Sequence, residues 1–167
     1  MKITPALIQD RILRELDQLS DSRVLNQIHT LIVEPYMVMR DWDYSDKGQQ
    51  YPCWTVLEHQ ETNSGLMFCQ NGFGPQHPWG LMLINGEHQS MGMDSNWYNS
   101  FMGAYFESRV PTVLPIWIVH EQSGGGESEP ISNELSWDAA WEQVEVLRKK
   151  NPLYKYDCWA WQQRSKR

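Results

Sequence analysis

Eight consecutive residues, Asn71-Gly-Phe-Gly-Pro-Gln-His-Pro78, contain two glycines and two prolines. No helix or strand interior accommodates that density of breakers. Apolar runs flank the stretch, Gly65-Leu-Met-Phe-Cys-Gln70 before it and Trp79-Gly-Leu-Met-Leu-Ile84 after it. It therefore reads as a stiff connection between two strands. A second connection follows at Asn85-Gly86, the dipeptide that best supplies the positive φ angles of a tight hairpin turn. Its partner strand is expected over 87–93. Strand patterns over 36–42 and 54–58, with a turn over 62–65, extend the series upstream. Successive strands joined by short turns specify an antiparallel meander.

Helical periodicity brackets the meander. Thr4-Pro5 is an N-cap followed by proline at the first helical position, and Leu7, Ile8, Ile12, Leu16 and Leu19 share one face. Ser20-Asp21-Ser22 breaks that pattern, and a second helix is expected over 22–31, with Val24, Leu25, Ile28 and Leu31 aligned. Asp94-Ser95 is read as the cap of a helix reaching about residue 106, since Trp97, Phe101, Ala104 and Tyr105 recur at i, i+4, i+7 and i+8. Ser136 caps a helix over 137–149 with Ala140, Trp141, Val144 and Leu147 on one side. Its acids precede its bases, in keeping with the helix dipole. The run over 113–119 is the most hydrophobic, but Pro115 demotes it to an edge or bulged strand. A last strand is expected over 153–161, with Tyr154, Tyr156, Cys158 and Ala160 on one face. Residues 123–130, rich in Gly, Ser and Glu, read as a flexible surface loop. The length of 167 residues suits one α+β domain over 1–167. Its antiparallel sheet would have five or six strands and a meander core, covered by the N-terminal, central and C-terminal helices.

Charge and cysteine usage narrow the function classes. The net charge is −7, but residues 51–147 carry twelve carboxylates against the single base Arg109. An acidic body repels phosphate backbones and favours a basic protein partner. The basic residues gathered over 148–167 are the one feature suited to nucleic acid, and pairing with the acidic body is their more ordinary use. Cys53, Cys69 and Cys158 are odd in number and include no CxxC pair, which points away from a disulfide scaffold and a cysteine-based zinc site. No apolar run approaches the roughly 20 residues of a membrane span, and the N-terminal stretch lacks a signal-peptide hydrophobic segment. The expectation is a cytoplasmic protein with no membrane partner, metal or cofactor.

Catalytic motifs are weak. Gln49-Gln-Tyr-Pro-Cys53-Trp54, with histidines downstream, resembles the Gln, Cys, His order of papain-like cysteine hydrolases, which implies Cys53 as nucleophile and His77, His88 or His120 as base. In that family the cysteine opens a helix, whereas Pro52 before and Thr-Val-Leu after Cys53 write a strand, so no helix dipole would lower its pKa. Phosphate-loop, HExxH and GxSxG patterns are missing. His59, His77, His88 and His120 fall near strand ends with carboxylates close in sequence, the arrangement from which a metal or general-base site would be built. Nine tryptophans supply large, rigid contact surfaces for cores and interfaces alike. The binding candidates are Phe73, His77 and Trp79 on the rigid connection, with Asp94 and Trp97 after it. The function expected is a non-enzymatic acidic protein-binding module, such as a bacterial immunity or inhibitor protein directed at a basic toxin or enzyme. A small hydrolase built on Cys53 and a histidine is the alternative, and nucleic-acid binding through the basic tail is the third reading.

Overall fold

A computed structural model describes residues 2–71, 73, 75–86, 90, 91, 96–123 and 126–160. Among these residues it contains four α-helices, a five-stranded antiparallel sheet and a three-stranded one, a mixed α+β architecture. The chain forms two compact units, Met1–Arg109 and Val110–Arg167. The acid-rich stretch is thus divided between two units.

The first unit opens with α1 (Pro5–Leu16) and α2 (Ser22–Leu31). The Thr4 hydroxyl accepts from the Leu7 N–H at 3.3 Å, and the Asp21 carboxylate caps α2 through the Arg23 N–H. The sheet follows in chain order: β1 (Ile32–Asp41), β2 (Gln50–His59), β3 (Ser64–Phe68), β4 (Trp79–Leu83) and β5 (Asn96–Tyr98). Every neighbouring pair is antiparallel, so the expected meander forms. Gly86 takes φ 140° at the Asn-Gly turn, a conformation open to glycine. Most of the strand expected over 87–93 lies outside the described residues. Met91 is described, and it bridges to Trp42 rather than joining the ladder.

The helix expected from Asp94-Ser95 is corrected. Residues 96–98 pair with β4, and α3 (Phe101–Glu107) begins at Ser100, whose hydroxyl accepts from the Gly103 N–H at 3.0 Å. Ser100 satisfies the capping preference as well as Ser95 does, and strand pairing at Trp79–Tyr98 and Gly80–Trp97 decides between them. The Glu15 carboxylate of α1 also accepts from the Phe101 and Met102 N–H groups, each at 3.0 Å. A carboxylate at the start of α3 suits the positive end of that helix.

In the second unit the hydrophobic run divides. Val110–Val113 is a 3₁₀ turn, and the strand β6 starts only at Trp117 (Trp117–Gln122). Pro115 has no N–H to give a ladder, so pairing begins beyond it. The sheet is completed by β7 (Glu129–Pro130) and β8 (Lys155–Ala160) in the order β7-β6-β8. The helix α4 (Trp137–Lys150) runs from its Ser136 cap to Asn151. Tyr156, Cys158 and Ala160 are buried together with Trp117, Val119, Ala140 and Val144. The strands and the amphipathic helix therefore share one core.

Candidate functional site

Strand alternation gives the five-stranded sheet two unlike faces. One carries Phe68 and Trp79 and faces the helices. The Arg11 guanidinium of α1 lies over the Phe68 ring at 5.2 Å, and Trp79 packs edge-on to Phe68 at 5.0 Å and to Phe101 of α3 at 5.5 Å. Trp79 is only 2% exposed. Its sequence position on the rigid connection suggested a contact residue, and its place is the core.

The opposite face carries Cys53, Met67, Cys69, Met82 and Met91, buried as one cluster. Among the described residues, the partly buried side chains Trp42, Tyr51 and Trp97 pack against this cluster and roof it. Trp97 lies so close over β4 that a Cβ at Gly80 would meet its ring at 3.1 Å. Glycine at position 80 is what lets the indole settle there.

Phe73 joins this roof. The base of the 71–78 connection is closed by a hydrogen bond from the Cys69 N–H to the Pro78 carbonyl at 2.8 Å. That closure holds Phe73 against Trp42 (6.2 Å), Tyr44 (6.1 Å) and Trp97 (5.9 Å). Trp42 in turn meets Tyr44 and Tyr51 edge-on at 5.8 and 5.9 Å. Five aromatic rings from four separate stretches of chain thus form one patch. Phe73 is 40% exposed and Tyr44 57%, so the patch is open to a partner. Asp41, Asp43 and Asp46, interspersed with Trp42 and Tyr44, are exposed as well, as is Lys47.

The other candidates scatter. His77 is exposed on the connection, and Asp94 and His88 lie outside the described residues. The His59 Nδ1 pairs with the Thr62 hydroxyl at 2.7 Å. His120 belongs to the second unit, buried and stacked on Trp159 at 4.1 Å. That unit has an open cleft of about 700 Å³ beside β8, where Arg148 donates to the Tyr156 carbonyl at 3.0 Å. Among the described residues, no three His, Cys, Asp or Glu side chains gather in a way that would hold a metal.

Cys53 is 0% exposed, and its thiol donates to the Met91 thioether at 2.9 Å. Its hydrogen bond with Cys69, reinforced by burial, pushes the Cys53 pKa far above the ordinary thiol value. A nucleophile needs access and thiolate character, and Cys53 has neither here.

Of the sequence candidates, then, Phe73 and Trp97 come together, and Trp42, Tyr44 and Tyr51 join them unannounced. The signal for Trp42 and Tyr44 was faint: Trp42-Asp-Tyr44 at the end of a predicted strand, with tertiary pairing needed to bring the rings to Phe73. No protein-family model, curated protein or solved structure matches the chain. Among the described residues no helix is long and apolar enough to cross a membrane.

Proposed function

We propose that this chain is a non-enzymatic protein-binding module, and that the Trp42, Tyr44, Phe73 and Trp97 patch is its recognition surface. The observation that carries this reading is a cluster of half-exposed aromatic rings interspersed with exposed Asp41, Asp43 and Asp46. Interface hot spots combine aromatic anchors at the centre with a polar rim. Rings already packed edge-to-face lose little conformational freedom on binding, so more of the contact energy is retained.

The acidic rim selects the partner's chemistry. Carboxylates accelerate encounter with a basic surface, and a partner arginine can then stack over an exposed ring as a cation–π contact. A basic protein is therefore the partner class, and an inhibitor or immunity role toward a basic toxin or enzyme is the biological setting that fits it. The buried, strongly protonated Cys53 weighs against the thiol-hydrolase alternative.

The reading is tested with arginine-rich and glutamate-rich peptides of equal length, followed through the indole N–H resonances of Trp42 and Trp97. The arginine-rich peptide should shift both resonances, with an affinity that falls as salt rises. Equal shifts from the two peptides, or none from either, would overturn it.

A further inference from the structure

The interior beneath the aromatic patch contains chemistry that protein recognition does not use. Five sulfur side chains, Cys53, Met67, Cys69, Met82 and Met91, occupy one buried cluster. Thioethers commonly serve as adaptable core filler, but the two cysteines change the character of this one. Cys53 stands at the junction, its thiol donating to the Met91 thioether at 2.9 Å, with Cys69 across from it where β3 leaves the ladder beyond the Trp54–Phe68 pair. Three sulfur donors from three separate segments therefore meet at one point.

A buried cation accompanies them. Arg40 is 1% exposed, and one of its Nη atoms donates to the Leu83 carbonyl at 3.0 Å. It lies two residues along β1 from Val38, the cross-strand partner of Cys53, and so on the same face of the sheet.

We propose that Cys53, Cys69 and Met91 form a buried three-sulfur site for a soft monovalent cation of the Cu(I) class, with Arg40 as its counter-charge. Thiolate and thioether donors select soft ions over Mg²⁺, Ca²⁺ or Mn²⁺. Binding is a ligand exchange with no redox step. The two thiols release two protons to solvent, and one monovalent cation takes their place. The resulting site, two thiolates with one cation, carries a single negative charge that the guanidinium offsets. Metal–sulfur bonds of about 2.3 Å set trigonal donors roughly 4 Å apart, so Met91 must withdraw from Cys53. Its unbranched side chain permits that. Met67 and Met82 keep the surroundings apolar, and Trp42, Tyr51 and Trp97 cover them. This inference is independent of the protein-binding reading.

The experiment titrates the reduced full-length chain anaerobically with Cu(I) held by a chromophoric competitor chelator. The wild type should remove one equivalent of Cu(I) from the chelator and develop thiolate-to-metal ultraviolet absorption. C53S/C69S should lose affinity by more than about a hundredfold, and M91L by about tenfold, on the scale of altered metal-site shells. M37L/M39L, which removes two exposed methionines of β1, should leave affinity unchanged. Should C53S/C69S fail to fold, alkylation of the wild type in mild denaturant keeps the test open. Bound Cu(I) should protect Cys53 and Cys69 while Cys158 still labels. Failure of the wild type to compete, full affinity in C53S/C69S, loss of affinity in M37L/M39L, or absence of selective thiol protection would overturn the proposal.

Discussion

The two faces of the five-stranded sheet belong to the same strands and are buried by different means. On one, Phe68 and Trp79 pack under helices α1 and α3. On the other, sulfur side chains are roofed by Trp42, Tyr51 and Trp97, with Phe73 and Tyr44 at the surface. Helices seal a face, whereas a roof of individual side chains leaves aromatic edges in contact with water. The difference teaches that abundant tryptophan has no single meaning in this chain. Trp79 contributes stability and Trp97 contributes surface, although both stand on neighbouring strands.

The largest expected effect comes from the sealed face. Trp79→Ala should cost about 3–5 kcal/mol, the usual loss for removing a large buried aromatic, seen as a lowered denaturation midpoint. A cost under about 1 kcal/mol would mean that Trp79 is not core, and the contrast between the faces would fail. Gly65→Ala comes next. Its Cβ would stand 2.6 Å from the Leu57 carbonyl oxygen, and backbone cannot swing aside as a side chain does. Overpacking of this kind costs about 1–3 kcal/mol. Gly80→Ala meets the Trp97 ring first, at 3.1 Å, a side chain rather than backbone. It should cost less than Gly65→Ala and change Trp97 fluorescence, because the indole lifts from the strand.

Buried thiols give a pH test of the same packing. Burial, with Asp157 adding to it, pushes the Cys158 pKa up from 9.0 to about 12. The folded state then holds its proton more tightly than the unfolded state does. The resulting stability is complete below pH 9 and is lost as pH rises toward 12. Denaturation midpoints measured across that range should fall less steeply in C158A than in the wild type. Cys53, pushed higher still by Cys69 and burial, should extend the decline to more alkaline pH. Identical profiles for wild type and C158A would show that Cys158 is solvated.

Much of the scaffold was legible because it is written locally. Thr4-Pro5, Ser136 and the breaker-rich 71–78 stretch each mark a boundary through their own backbone chemistry, and the observed elements begin or end there. The helix expected at Ser95 failed because Trp97, Phe101 and Tyr105 fit helical spacing while the Gly80–Trp97 pairing is non-local. The sulfur cluster was invisible for the same reason. Cys53 and Cys69 meet only after β2 and β3 pair, and Met91 arrives through a bridge to Trp42. Nothing in the spacing of those residues specifies that register. Phe73 was legible as an apolar residue on a rigid turn, but its neighbours Trp42 and Tyr44 were not, since they come from about thirty residues earlier in the chain.

The smallest effect on stability should accompany the largest effect on binding. Tyr44→Ser/Phe73→Ser removes two exposed rings and should change stability by only about 0.5 kcal/mol, as surface substitutions do. Titration of this variant with the arginine-rich peptide, beside the wild type at the same ionic strength, is the direct test of the central claim. The account predicts at least a tenfold loss of affinity with the denaturation midpoint retained, about 1.4 kcal/mol of binding energy. Undiminished affinity in a folded Tyr44→Ser/Phe73→Ser variant would contradict it.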